Sequence, residues 1–152
     1  MNTYLLEYKT VLLVENNPDD EALTLRAFQR NDLRCRIVTA RSGAEAMHYL
    51  LRSGSEPDEI GTHFEPDLIL LDLKLPQMSG FEVLRRIREH ERTKLVPVVV
   101  LSSSREPQDI QRSYSLGANS YIQKSIDLIE FSRTIQLVVE YWLHINQVPP
   151  KI

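Results

Sequence analysis

The sequence predicts an α/β domain with a doubly wound parallel sheet, on three observations. Five short apolar runs alternate with longer segments of helical period, most runs end in a strongly polar residue, and 152 residues suffice for one core. The 18 basic and 21 acidic groups leave a net charge of −3, which excludes the strongly basic field of a dedicated nucleic-acid binder. Cys35 is the single cysteine, so no intrachain disulfide forms, a reducing compartment is expected, and the residue reads as a small core side chain. The opening MNTYLLEYKT has no apolar leader core, and no stretch nears the ~20 apolar residues of a membrane span. A cytoplasmic protein with no membrane partner is expected.

The elements follow in order. The first run, residues 10–14 (TVLLV), stops at Glu15-Asn16-Asn17-Pro18. Asn17 suits a helix cap, Pro18 the first turn, and Asp19, Asp20 and Glu21 the positive end of the dipole. That helix carries Ala22, Leu25, Phe28 and Gln29 to about residue 31. A weaker strand over 36–40 precedes Ser42-Gly43 and a helix through Ala46 and Leu50. Residues 53–66 (SGSEPDEIGTHFEP) hold two glycines and two prolines with no sustained period, and read as a surface loop. Residues 67–71 are apolar on both faces, as a central strand is, and end at Asp72. A loop with Pro76 and Gly80 leads to the helix FEVLRRIREHER, one face of which is set by Phe81, Leu84, Ile87 and Arg88. Residues 96–101 form the most β-branched run and end in Ser102-Ser103-Ser104. Pro107 opens a helix that Gly117 closes; residues 119–123 end at Lys124; a last helix runs from about 127 to about 146. The expected organisation is one domain over 9–146 with a short tail, 147–152.

In such a sheet, ligands bind at the carboxyl ends of the strands. Glu15 and Asn16 follow the first run, Asp72 the third, Ser102 the fourth and Lys124 the fifth. Two carboxylates and an amide converging there make an all-oxygen site for a hard cation such as Mg²⁺, and an ammonium and a hydroxyl beside them can hold phosphoryl oxygens. Acids also end strands simply because the chain returns to water, and Asp72 alone fits either reading. The four strand ends together point to function.

VLLVENNPDD, DLILLDLKLPQMSGFEVLRRIR, PVVVLSSS and GANSYIQKS, in that order, resemble the receiver domains of two-component response regulators. The likeness runs from about Lys9 to Ile145. The long loop after the second helix, with ANSYIQK and YWL, most resembles the single-domain regulators that partner bacterial phytochrome histidine kinases. The resemblance implies a five-stranded flavodoxin-like or CheY-like sheet of order 2-1-3-4-5. It implies that Asp72 is the phosphoacceptor and nucleophile toward a kinase phosphohistidine. Mg²⁺ would be held by Glu15 indirectly, by Asn16, by Asp72 and by the backbone carbonyl of Lys74, offsetting repulsion between two anions. Lys124 would bind a phosphoryl oxygen and Ser102 would donate its hydroxyl to the same group. Tyr121 occupies the aromatic switch position, although it also reads as an ordinary strand aromatic.

Two positions depart from the family. Receivers usually carry two acids after the first strand, and here the second is Asn16, an oxygen donor without charge. Weaker metal binding is expected, and Lys74 reduces the charge further if its ammonium folds over the site. Asp19 and Asp20 read as first-turn helix residues rather than replacements. Ser125 stands where the family has a proline after the lysine, commonly in a cis bond. A cis bond before serine costs ~3 kcal/mol, so a trans bond is expected.

In the last helix, Leu128, Phe131, Ile135, Val138, Trp142 and Ile145 read as the core stripe. Ile129, Leu137, Val139, Tyr141 and Leu143 fall outside it, which predicts a homodimer with Leu137 and Tyr141 in its interface; burial under the chain's own ends, Tyr4 to Leu6 and Pro149-Pro150, is the competing expectation. His48, His63, His90 and His144 show no ligand spacing, and Arg85, Arg86, Arg88, Arg92 and Lys94 alternate with acids as on a solvated face. No Gly-rich phosphate loop is present. Against the signalling switch stand a pseudo-receiver that only binds, motivated by Asn16 and Ser125, and a haloacid-dehalogenase-type phosphohydrolase. The latter needs a second Asp at position 74, which is Lys.

Overall fold

The apolar runs become strands because their side chains alternate between two buried faces. The computed structural model describes residues 9–31, 33–51 and 64–150. Its strands are β1 (Lys9–Val14), β2 (Cys35–Ala40), β3 (Leu68–Leu71), β4 (Val98–Ser102) and β5 (Ser120–Gln123), and its helices are α1 (Pro18–Arg30), α2 (Gly43–Leu51), α3 (Gly80–Glu89), α4 (Pro107–Ser115) and α5 (Leu128–Val139). All strand pairs are parallel and the order is β2-β1-β3-β4-β5, as the family resemblance implies.

The period of two divides the core. Leu12, Val14, Ile69, Leu71, Val98 and Val100 pack with Ala46 and Leu50 of α2 and with Val83, Leu84 and Ile87 of α3. Val11, Leu13, Leu68, Leu70, Val99 and Leu101 face the other way, onto Phe28 of α1 and Phe131, Ile135 and Val138 of α5. Each such aliphatic side chain contributes roughly 1.5–3 kcal/mol by leaving water. The helices start where the sequence predicts. Asn17 Oδ1 accepts from the N–H groups of Asp19 and Asp20, with Pro18 in the first turn, and Asp127 Oδ1 accepts from Ile129 and Glu130.

Three expectations are corrected. In α1 the buried residues are Thr24, Ala27 and Phe28, whereas Ala22 and Gln29 are exposed. Thr24 can turn inward because its hydroxyl donates to the carbonyl of Asp20 at 2.8 Å. Arg88 does not sit on a solvated face. Its guanidinium donates to the carbonyls of Gly117 (2.9 Å), Lys94 (3.0 Å) and Val96 (2.7 Å) and to Asn119 Oδ1 (2.8 Å), tying α3 to the chain before and after α4.

The third concerns the last helix. After α5 the chain continues as a π-helical segment, Glu140–Ile145, with Asn146 N–H bonded to the carbonyl of Tyr141, five residues back. The wider turn delays the inward face by one residue. Leu143 is therefore buried, while Trp142 is half-buried and Ile145 exposed; within α5 itself Val139, four residues after Ile135, is buried and Leu128, at its start, is exposed. Ile129, Leu137 and Tyr141 remain exposed as expected. Pro149 and Pro150 do not cover them; they line a groove with Leu50, Phe64 and Pro97 instead. The expected loop over 53–63, His63 and Tyr4 to Leu6 lie outside the described residues. His48 and His144 are exposed and His90 is half-buried.

Candidate functional site

Sheet register delivers the polar strand ends to one edge. Val14 of β1 pairs with Leu71 of β3, so Glu15 and Asp72, the next residues, emerge side by side, with the Asp72 N–H bonded to the Val14 carbonyl at 3.0 Å. Ser102 of β4 pairs with Gln123 of β5, and the Lys124 N–H donates to the Ser102 carbonyl at 2.8 Å.

The side chains then converge. Lys124 Nζ lies 2.8 Å from Glu15 Oε1, 2.9 Å from Asp20 Oδ2 and 3.6 Å from Asp72 Oδ2. Asp72 is 6% exposed, and its Oδ1 accepts the Lys74 N–H at 3.3 Å. Above these groups opens a cleft of about 420 Å³, lined by Asn16, Asn17, Pro18, Asp20, Asp72, Lys74, Ser103 and Lys124. Its floor depends on a close approach of backbone to backbone. The Gly80 N–H donates to the Leu73 carbonyl at 2.9 Å, and a Cβ on Gly80 would stand 2.6 Å from Leu73 Cα and closer still to the Asp72 carbonyl oxygen. Only glycine lets α3 begin this near Asp72.

Burial dominates the electrostatics. The Glu15 carboxyl is pushed up to about 7 by burial first and by neighbouring Asp72 second, against the pull of Lys124. Burial works against the Lys124 ammonium too, but its bonds to Glu15 and Asp20 and the nearby Asp72 outweigh it and raise its affinity for the proton. Three carboxyl groups thus share one partly buried ammonium.

The donors fit a hard cation. Asp72 and Asn16, a carboxylate and an amide, line one cleft, and Mg²⁺ commonly binds through one or two carboxylates while keeping several waters. Among the described residues no three His, Cys, Asp or Glu side chains are grouped so as to hold a metal ion by themselves, so such an ion would depend on amide, backbone and solvent oxygens as well. Mg²⁺ there would supply positive charge beside Asp72.

Of the residues picked out in the sequence, Glu15, Asn16, Asp72, Lys74 and Lys124 come together. Lys74 is exposed at the cleft rim. Ser102 is 1% exposed, its Oγ accepting the Ser104 N–H at 3.1 Å, and the residue that lines the cleft from this strand end is Ser103. Tyr121 is half-buried, and its hydroxyl donates to the Ser104 carbonyl at 2.9 Å, linking it to the loop after Ser102. No cis peptide bond occurs among the described residues, so the Lys124–Ser125 bond is trans as expected, and Lys124 reaches Glu15 all the same. Asp20 was missed as a member of the site. An acid in the first turn of a helix that directly follows a strand is carried over that strand's carboxyl end, and this geometry is the signal that points to it.

Comparison with known proteins gives one family. The response regulator receiver domain family matches residues 11–136. A probable methanogenesis regulatory protein, FilR2 of Methanothrix harundinacea, is 40% identical over 140 residues, covering 91% of this chain and 86% of its own. The response regulator Rcp1 of Synechocystis is 34% identical over 141 residues, covering 93% of each chain. The structure of Rcp1 in its Mn²⁺-bound form superimposes with a TM-score of 0.81 at 33% identity, over 93% of this chain and 99% of that one. The crystal structure of the phosphorylated cyanobacterial phytochrome response regulator RcpA gives a TM-score of 0.84 at 39% identity, over 94% and 99%.

Proposed function

This chain belongs to the response regulator receiver domain family, and from that premise we propose that Asp72 accepts a phosphoryl group from a partner histidine kinase, of the phytochrome type. One observation carries the reading. Asp72 is buried at the end of a central strand, yet opens into a cleft where a cationic Lys124 Nζ waits 3.6 Å from its carboxylate. An Asp72 oxygen attacks the phosphorus of a phosphohistidine, the P–N bond breaks, and the imidazole leaves with the electron pair. The product is an acyl phosphate on Asp72. Lys124 holds a phosphoryl oxygen as a point charge. Ser102 donates its hydroxyl once it gives up the Ser104 N–H, and that exchange moves the loop to which Tyr121 is bonded. Glu15, Asn16, Asp72 and the Lys74 backbone would hold Mg²⁺, which when bound would supply positive charge to offset the repulsion between nucleophile and phosphoryl group.

The output in this reading is the protein's own surface. Residues 9–146 act as one receiver in the cytoplasm and associate through the exposed face of α5 as a homodimer. The response regulator Rcp1, of similar span, and a structural neighbour described as a phytochrome response regulator support the receiver and phytochrome-type part of this reading. Among the described residues no helix is long and apolar enough to cross a membrane.

Incubation with acetyl phosphate and Mg²⁺ followed by intact mass tests it. The expected result is the gain of one phosphoryl group, absent in Asp72→Asn. A chain that gains no mass is the pure binding module that Asn16 otherwise suggests.

A further inference from the structure

The site has one acid fewer than its family at position 16 and one more where no acid was expected. Asp20 enters the cleft from the first turn of α1, its backbone N–H held by the Asn17 cap at 3.1 Å and its Oδ2 2.9 Å from Lys124 Nζ. Asn16 lines the same cleft and carries no charge. The Asn17 side-chain oxygen is committed to capping, since it accepts from both Asp19 and Asp20. The partly buried positive charge of the site, the Lys124 ammonium, is seated by Glu15 and Asp20, with Asp72 farther off. A cation already sits among these carboxylates, and Asp20 is one of its two nearest partners.

We propose that Asp20 is the second acid of the divalent-cation site, delivering from α1 the negative charge that Asn16 does not bring from the end of β1. This deepens the function proposed above and rests on it. Glu15 and Asp72 are opposed by Lys124 and by Lys74 at the cleft rim, so Asp20 supplies the negative charge by which the acids can exceed the ammonium groups. Asp19, its neighbour in the same turn, is exposed and does not line the cleft. It adds the same charge to the helix terminus but not to the site.

The test is the affinity for Mn²⁺ alone, read by electron paramagnetic resonance of the free ion. Asp20→Asn is expected to weaken binding about tenfold or more, the scale of losing a supporting metal-site carboxylate. Asp19→Asn is expected to change it within about twofold, as a screened, solvated charge does. Asn16→Asp placed in the Asp20→Asn chain is expected to restore the affinity, which a merely misfolded variant could not do. Equal affinities of the two asparagine variants, in a wild type that binds Mn²⁺ and takes phosphate on Asp72, overturn the inference and leave the proposed function standing. A wild type that binds no Mn²⁺ and takes no phosphate overturns both.

Discussion

The Lys124 ammonium reaches Glu15 Oε1 at 2.8 Å although β5 and β1 are not neighbours in the sheet. The two side chains lean toward each other from the loops after their strands and meet beside Asp72, whose Oδ2 lies 3.6 Å from the Lys124 Nζ. With side chains 12% and 1% exposed, the pair is shielded from the screening that makes surface ion pairs weak. It places a cation 3.6 Å from the Asp72 carboxylate before any phosphoryl group arrives.

A pH dependence follows from Glu15. Its carboxyl titrates at about 7 in the fold against 4.5 ordinarily, because burial and Asp72 disfavour the charge. Between those values the folded protein holds a proton that the unfolded chain releases. The stability this group contributes is therefore full below 4.5, is lost as pH rises toward about 7, and stays flat above. In metal-free buffer, the melting temperature of the wild type relative to Glu15→Gln should fall over that window. Parallel curves for the two proteins would remove Glu15 as the titrating group. Added Mg²⁺ should release protons in the same window, measurable in weakly buffered solution.

Gly80 makes a second prediction. A Cβ there would stand 2.6 Å from Leu73 Cα, a backbone atom that cannot step aside. Gly80→Ala must shift either the start of α3 or the Asp72–Leu73 segment, at a cost of about 1–3 kcal/mol, the usual scale of overpacking. The urea midpoint should drop accordingly, and phosphorylation from acetyl phosphate should slow even in the folded fraction. An unchanged midpoint would mean that the loop has slack the close contacts do not show.

Much of this molecule is legible in its sequence because hydrophobic period and strand-end polarity are local signals. The burial of β3 on both faces, the Asn17 cap and the convergence of Glu15, Asp72 and Lys124 follow from them. What escaped depends on geometry that no local pattern carries. Arg88 reads as a solvated charge until the carbonyls of Gly117, Lys94 and Val96 are brought to its guanidinium by chain segments before and after α4. Leu143 falls off the 3.6-residue stripe because a π turn resets the phase. Asp20 is explained by the helix dipole alone, and that sufficient explanation hides its second task at Lys124.

The exposed face of α5 yields the last prediction. Ile129 (75% exposed), Leu137 (57%) and Tyr141 (47%) lie eight and four residues apart, a spacing that stacks them along one stripe of a helix. Ile126 and Leu128 add apolar surface at its start, and the Tyr141 ring meets Trp142 edge-on at 5.1 Å, which fixes the far end. Such a stripe left in water is unfavourable by about 25 cal/mol for each Å², and a second copy about a two-fold axis covers it with its own equivalent. Light scattering at micromolar concentration should give a dimer for the wild type. Leu137→Glu combined with Tyr141→Glu should give a monomer of nearly unchanged melting temperature, because substitutions at exposed positions cost within about 0.5 kcal/mol of fold stability. If the wild type scatters as a clean monomer before and after phosphorylation, the stripe serves a different partner and the dimer is refuted.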